Sequence, residues 1–503
     1  MSSLQEKISI HDKYQFEIKY IYPLSRDNPV TEYTVESFLF MPNNLGINSN
    51  TYSRDKFYND MQKYIRLKTP KMHLHAIVSG KSCPLEKINQ SLEKLCRTPE
   101  DEQTASEYIY HIKMFCSITK SAVRDQLAYI EELLPSEDRQ QVIELYLKNV
   151  EQLLTRFREL KPLVYSAHVD KDISAFYAMA DEYLSLLAEK YLNRLVLFLN
   201  KSQSKYSRGF VIDVVRIIKA EQAYRNDNHY PSVPERESDN EAVVYRQRIL
   251  KKIMGSILFL KTSVKTEGRI LEQFIAGFAA GLAMLFATIS MLLSQRIFAD
   301  LTTSLLVVLV VSYIFKDRIK EFSRTYMVRW LRKYIYDYKT ELRTSMDVKI
   351  GFCRELFAFL KESDLSSEII KIRNKDYLGQ LDNGYAPENI LYSKKNIKIF
   401  SNPKQRLFAD LQPDGIIDII RLNISHFIEK MDNPRKVLFV PDGDDKMFSV
   451  KSRSVYHMNL ILKYHMGKET EHRKFRIILS RSGIKRIMEI PITGVMHIAL
   501  FDK

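Results

Sequence analysis

The chain has 503 residues, of which 45% are hydrophobic and 27% charged, and its formal net charge is +15. This length exceeds the ~250–300 residues at which one hydrophobic core stops growing, so several structural units are expected, and the composition excludes a wholly disordered polymer. Fifteen glycines in the whole chain argue against a nucleotide-binding α/β fold rich in phosphate-cradling turns, while the basic excess suits an anionic membrane surface or a nucleic acid.

The N-terminus, Met1-Ser2-Ser3-Leu4-Gln5-Glu6-Lys7, lacks the basic, then apolar, then small-residue pattern of a cleaved secretory signal. Cys83, Cys96, Cys116 and Cys353 are too widely spaced for a zinc site or a disulfide framework, so reduced thiols facing the cytosol are expected. Residues 1–70 read as a β-hairpin plus a helix. Tyr14, Phe16, Ile18, Tyr20 and Tyr22 alternate with Gln15, Glu17, Lys19 and Ile21 at the period of a half-buried strand, and Tyr33 to Met41 supplies a partner. Pro23 and Pro42 end these runs because proline cannot donate to a strand ladder. The helix is expected over Ser53 to Arg66.

Residues 71–225 read as a cytoplasmic helical bundle. Three stripes at helical spacing carry it. The first is Ile109, Ile112, Phe115, Val123, Leu127, Ile130 and Leu134; the second is Ile143, Tyr146, Val150, Leu153, Phe157 and Leu160. The third runs through Ile173, Phe176, Ala180, Leu184, Leu187, Tyr191 and Phe198. Each must bury itself against another helix, which implies antiparallel packing through short Pro-containing turns. Residues 226–241, with Pro231, Pro234, Glu235, Glu237 and Asp239, are the best candidate linker. A membrane-proximal helix is expected over 242–272.

Residues 273–316 read as a transmembrane helical hairpin. Gln273 to Ser294 holds no charged side chain and as a helix spans about 33 Å, enough for a hydrocarbon core of about 30 Å. The second run, Leu301 to Phe315, spans roughly 22 Å unless the helix begins at Ile297; a re-entrant segment is the alternative. Lys261, Lys265 and Arg269 precede the first span, and Lys316, Arg318, Lys320 and Arg324 follow the second, so the positive flanks place both termini in the cytoplasm. The expected location is a plasma membrane of the bacterial inner-membrane kind. Gly277 and Gly281, with Ala276 and Ala280, form a row of small residues of the kind that lets helices approach in a bilayer, either within the hairpin or between subunits.

Residues 317–350 read as a basic amphipathic stalk helix, with Ile319, Phe322, Tyr326, Trp330, Tyr334 and Leu342 as its apolar row. It either packs on the bundle, the favoured reading, or lies in the anionic headgroup layer. Residues 351–503 read as a cytoplasmic antiparallel α+β domain. Here Ile416 to Met431 looks helical, while Val437 to Val440, Val455 to Tyr464, Phe475 to Leu479 and Ile484 to Ile490 look like strands. The N-terminal strands are placed to join this sheet. The fold class is therefore mixed α+β and predominantly helical.

No complete catalytic motif stands in the sequence. His75 to Ser82 resembles the end of a P-loop, but His75 occupies the position of the first glycine, which the phosphate cradle needs. His73 and His75 would share one strand face, without a nearby third metal ligand. Asp442, Asp444 and Asp445 lack the spacing of a calcium loop and read as a turn. His457, His465, Ser480 and Ser482 supply no motif that fixes a nucleophile against a base. No cofactor is expected. The leading expectation is a self-associating, membrane-anchored cytoplasmic interaction protein, with anionic lipid headgroups as candidate contacts and no nucleic acid. The alternatives are an enzyme at the cytoplasmic face, sited in the C-terminal domain, or a small oligomeric channel lined by Thr288, Ser290, Thr302, Thr303 and Ser304.

Overall fold

The computed structural model describes residues 5–24, 29–79, 83–99, 101–132, 138–166, 170–202, 207–297, 303–331, 335–345, 347–375, 388–400, 415–442, 446–467 and 469–492. In chain order the first elements are β1 (Gln5–Ile10), β2 (Gln15–Pro23), β3 (Val30–Pro42), α1 (Arg54–Asp60) and β4 (Met61–Leu67). A helical series follows: α2 (Leu74–Ser79), α3 (Pro84–Arg97), α4 (Glu102–Glu132), α5 (Asp138–Arg158), α6 (Lys161–Val164), α7 (Lys171–Ser202), α8 (Ser207–Asp227) and α9 (Glu241–Gly255). Next come β5 (Lys261–Thr266), α10 (Arg269–Ile297), α11 (Thr303–Leu331), β6 (Tyr338–Arg343), β7 (Lys349–Leu360), α12 (Ser367–Arg373) and β8 (Glu388–Phe400). The chain closes with β9 (Gly415–Asn423), α13 (Ser425–Ile428), β10 (Arg435–Asp442), β11 (Lys446–Arg453), β12 (Tyr456–Met466), β13 (Glu469–Ser480) and β14 (Gly483–Ile490).

The chain is mixed α+β with antiparallel sheets, and both ends of it build them. Alternation along β2 buries Phe16, Ile18, Tyr20 and Tyr22 on one face, as the period-2 pattern requires. β2 does not pair with β3, however, so the expected N-terminal hairpin is corrected. β2 sits between β1 and β9 in a four-stranded sheet ordered β1-β2-β9-β4, and β3 sits between β12 and β8 in an eight-stranded sheet ordered β14-β13-β12-β3-β8-β7-β6-β5. N- and C-terminal strands thus share both sheets, while β10 and β11 form a separate hairpin. The sheets meet face to face through aromatic side chains: the rings of Tyr20 and Tyr464 lie 6.2 Å apart, and those of Tyr22 and Tyr33 lie 5.3 Å apart.

Two segments read as helix are otherwise. The helix begun at Ser53, whose hydroxyl accepts from the Lys56 amide, ends at Asp60 and gives way to β4. Ile416 to Met431 is chiefly the strand β9, flanked on both sides by strands, followed by the single turn of α13. A central strand buried on both faces is a continuous apolar run, which sequence periodicity does not separate from a helix.

The bundle stripes are buried as expected except at Ile109 and Phe198, which are half-buried, and Leu134, which lies outside the described residues; Phe157 is stacked between Phe115 and Tyr177 at 5.5 and 4.9 Å. α9 packs on α4 and α7, so it belongs to the bundle instead of leading to the membrane, and 261–266 is the strand β5. The expected linker is tied down: Tyr230 donates from its hydroxyl to Asp181 at 3.0 Å, and Ser232 is fully buried. One contiguous apolar core runs through the bundle and both sheets; a smaller core, Phe38, Phe40, Ile369, Ile372, Ile390 and Ile461, lies under α12.

α10 and α11 form a helical hairpin inserted between β5 and β6, which are themselves an antiparallel pair at the sheet edge, with Thr266 opposite Tyr338. At its base Gly268 adopts φ +99° to turn the chain into α10, and the Glu267 amide donates to Asp337 O at 3.0 Å. The stalk reading is corrected. α11 ends at Leu331 and Leu342 is a buried residue of β6, while Phe322 and Tyr326, 72% and 62% exposed, stack on each other instead of on the bundle. Trp330's side chain and Tyr334 lie outside what is described.

Candidate functional site

Two features stand out: the outer surface of the hairpin, and a chain of buried charges near its base. On α10 the side chains turned toward α11 are Ile275, Ala279 and Ala283, all buried and spaced one helical turn apart. Almost everything else on the helix is open. Phe274, Phe278, Met284, Leu285 and Leu292 on α10, and Leu306, Val307 and Val310 on α11, are large apolar side chains that are more than half exposed. Glu272–Arg296, 25 residues, is long and apolar enough to cross a membrane.

The expected small-residue row does not serve the hairpin's internal packing. Gly277, Gly281 and Ala280 are exposed and Ala276 half-buried, and a Cβ at either glycine would meet nothing within 4 Å. Hairpin closure instead uses the neighbouring alanine row, one residue out of phase. Lys316 lies over the Tyr313 ring at 4.0 Å, where the apolar part of α11 ends, and Arg318, Lys320 and Arg324 project outward on the following turns.

The second feature is built by four adjacent strands of the two sheets. Glu355 on β7 is directly opposite Lys395 on β8, with their charged groups 3.5 Å apart. From the facing sheet, Lys63 on β4 touches Glu355 and Asp418 on β9 touches Lys395. The result is an alternating line, Lys63–Glu355–Lys395–Asp418, in which the last three side chains are less than 10% exposed. A buried charge without a partner would cost several kcal/mol, and the alternation supplies each with one.

The same environment sets the protonation states. Burial pushes the Glu355 carboxyl up, but the Lys395 and Lys63 ammonium groups outweigh it and hold it below the usual range. Burial alone would lower Lys395; the Asp418 carboxylate reverses that and keeps it protonated beyond the ordinary lysine range. Asp418 is raised, chiefly by its own desolvation, and the Cys353 thiol beside the network is pushed up by burial. A cavity of about 330 Å³ opens beside Lys63 and Glu355, walled by Tyr58 and Cys353 and, on the hairpin side, by Thr262 and Val264 of β5 and Tyr338 and Thr340 of β6. Asp337, in the segment joining α11 to β6, closes the frame by accepting from Arg54 at 3.2 Å, Tyr58 at 3.0 Å and the Phe357 amide at 2.8 Å. Chemically the cavity offers a cationic and an anionic edge with hydroxyls, while its thiol is held neutral and unreactive.

Sequence reasoning missed this network. Its one visible signal was Asp418 interrupting Ile416-Ile417 and Ile419-Ile420, a charge between two pairs of isoleucines. Of the expected motifs, His75 falls in α2, so the P-loop-like stretch does not run directly out of a strand and the two histidines share no strand face; Gly80, Lys81 and Ser82 lie outside the described residues. Asp442 ends β10 at the β10–β11 turn, and Asp444 and Asp445 lie outside the described residues. His465 pairs with Glu36 and Thr470, each at 3.2 Å, whereas Ser480 bonds Ser482 at the opposite end of β13.

No protein-family model, curated protein or solved structure matches this chain.

Proposed function

We propose that this chain is a membrane-anchored interaction protein: α10 and α11 insert as a hairpin, the sheets and bundle form one body on the cytoplasmic face, and copies associate through the Gly277/Gly281 face. The observation that carries the reading is the exposed apolar surface of α10 and α11 described above. Burying a large apolar side chain is worth roughly 1.5–3 kcal/mol, so wetting eight of them would cost on the order of 10–20 kcal/mol, as much as a whole domain's stability of about 5–15 kcal/mol. Lipid removes that cost. The joining of both helix ends to paired strands supports a return to the side from which the chain entered, and Lys316, Arg318, Lys320 and Arg324 supply the positive cytoplasmic shoulder. The bare Gly277/Gly281 face fits a second copy of the helix, since close backbone approach is what drives association in lipid.

Cross-linking in native membranes tests the association. Gly277→Leu with Gly281→Leu is expected to abolish a cross-linked dimer while leaving the monomer's fold and insertion intact; an unchanged dimer rejects that face as the contact.

A second reading, a ligand-binding or catalytic role for the body, rests on the 330 Å³ cavity. Charge states that leave Glu355 ionised, Lys395 protonated and Cys353 neutral suit a latch between the sheets better than acid–base chemistry, which works best with groups poised near the working pH.

A further inference from the structure

The outer face of the four-stranded sheet, turned away from the aromatic interface, carries Lys19 on β2 and Arg66 on β4, on either side of β9. Lys7 of β1 stands directly opposite Lys19 in the strand register, an arrangement that is destabilising for like charges. The bundle meets this face at its edge, where the Leu260 amide donates to Ile65 O at 3.1 Å. It brings Lys120 and Arg124, one turn apart on α4, toward Lys251 on α9 and toward Arg66: Ser117 of α4 donates to Met254 O of α9 at 3.4 Å, and Phe259, just beyond α9, forms an antiparallel bridge with Arg66. These cations act on one another and on the sheet's cations. Lys120 is lowered to about 8 by burial first, then by Lys251, Arg66, Lys190 and Arg124. Burial and Arg124 lower Arg66 in the same way.

Counter-charge is scarce. Glu17 is engaged by Arg421 at 2.8 Å, and Asp125 by its neighbour Arg124 at 2.7 Å. Among the described residues, Lys19, Arg66, Lys120 and Lys251 form no ion pair, and Arg66 Nε is buried without a hydrogen-bond partner. The fold thus gives Lys19 and Arg66 only a share of Glu17, which Arg421 already engages, in contrast to the Lys63–Glu355–Lys395–Asp418 line, where each charge has its complement.

We propose that this junction of the outer face of the four-stranded sheet with helices α4 and α9 is a binding site for a compact, multivalent phosphate-bearing anion, held by Lys19, Arg66, Lys120, Arg124 and Lys251. Guanidinium groups fork onto phosphate oxygens and ammonium groups add point charge. Arg66, Lys120 and Lys19 are half-buried, which favours a small ligand reaching between them over a flat bilayer or duplex lying across them. The phosphates can belong to a soluble polyphosphorylated molecule or to a lipid headgroup.

The test is thermal unfolding and calorimetric titration of the full-length protein in phosphatidylcholine nanodiscs, with sodium tripolyphosphate as probe and sodium chloride at matched ionic strength as control. Tripolyphosphate is expected to raise Tm beyond the chloride control. Lys120→Gln and Arg66→Gln should each raise Tm without anion, by relieving repulsion, and weaken tripolyphosphate binding about tenfold. Lys251→Gln, an exposed position where folding is not in question, should weaken binding in the same direction. If an anionic phospholipid added to the nanodiscs raises Tm and blocks the titration, the ligand is a headgroup; if tripolyphosphate binds equally in both nanodiscs, it is soluble. The absence of any response beyond chloride, or equal tripolyphosphate affinity in wild type and all three variants, overturns the proposal.

Discussion

α4 and α10 are nearly equal in length, 31 and 29 residues, and are treated oppositely by the fold. α4 buries Tyr108, Ile112, Phe115, Ile118, Val123 and Leu127 against neighbouring helices, whereas α10 buries Ile275, Ala279 and Ala283 and leaves its phenylalanines and leucines outside. Apolar area alone does not distinguish the two; what differs is whether protein covers it. In water the uncovered helix would be a liability as large as the stability of the body that carries it, a cost that the proposed insertion of α10 into lipid removes.

Substitutions should break along the same line. Phe157→Ala in the bundle, a fully buried ring between two stacked partners, is expected to cost about 3–5 kcal/mol. Phe278→Ala on the hairpin should change the unfolding of the detergent-solubilised body by less than about 0.5 kcal/mol. Parallel urea titrations compare them, and an equal loss at both sites would erase the distinction.

A second, comparable effect concerns the inter-sheet charges. Lys395→Met leaves Asp418 and Glu355 buried without their main partner and should destabilise by about 3–4 kcal/mol, while the double change Lys395→Met with Asp418→Leu recovers much of that loss. A double variant no better than the single would mean that the two charges are not coupled.

The pH dependence sharpens the same point at smaller amplitude. Glu355 is held below its ordinary range, so its contribution is complete above the unfolded carboxyl's pKa and is lost as pH falls through the folded one. Asp418 is raised and has the opposite sign: the folded state takes up its proton first, so acidification through that range favours folding. Glu355→Gln should therefore flatten the acid limb of a stability–pH curve, and Asp418→Asn should steepen it. Identical curves for the two variants would contradict the assignment of opposite shifts.

The smallest effect is expected at Ser53. Ser53→Ala removes the cap of α1, whose side chain accepts from Lys56 N at 3.4 Å, and should cost about 0.5–1 kcal/mol in thermal unfolding; a loss above 2 kcal/mol would give that turn a larger part in the fold.

What the sequence disclosed follows physical lines. The bundle was legible because each stripe repeats at 3.6 residues over several turns, and α10 because 22 uncharged residues in one run mark a long apolar helix. β9 was not, since Ile416 and Ile417 are buried and Ile419 and Ile420 half-buried, on both faces of the strand, and the alternation that marks a strand is lost. The split of Ser53 to Arg66 into α1 and β4 was equally hidden, because β4's tertiary partners, not its local propensity, decide its state. β2 and β3 lie next to each other in sequence yet belong to different sheets, a choice made by strands about 400 residues away. The charge network joins positions 63, 355, 395 and 418 and has no local signature beyond the aspartate among isoleucines. Gly277 and Gly281 were visible as a motif, but only the structure shows that a Cβ at either would meet nothing within 4 Å among the described residues.

The proposed insertion of the hairpin is the central claim, and alkaline carbonate extraction of native membranes combined with protease protection tests it most directly. The protein should stay with the membrane pellet, and protease added to sealed, right-side-out vesicles should leave the body, including residues 5–266 and 335–492, uncut. Release into the carbonate supernatant, or digestion of the body from outside, would contradict it.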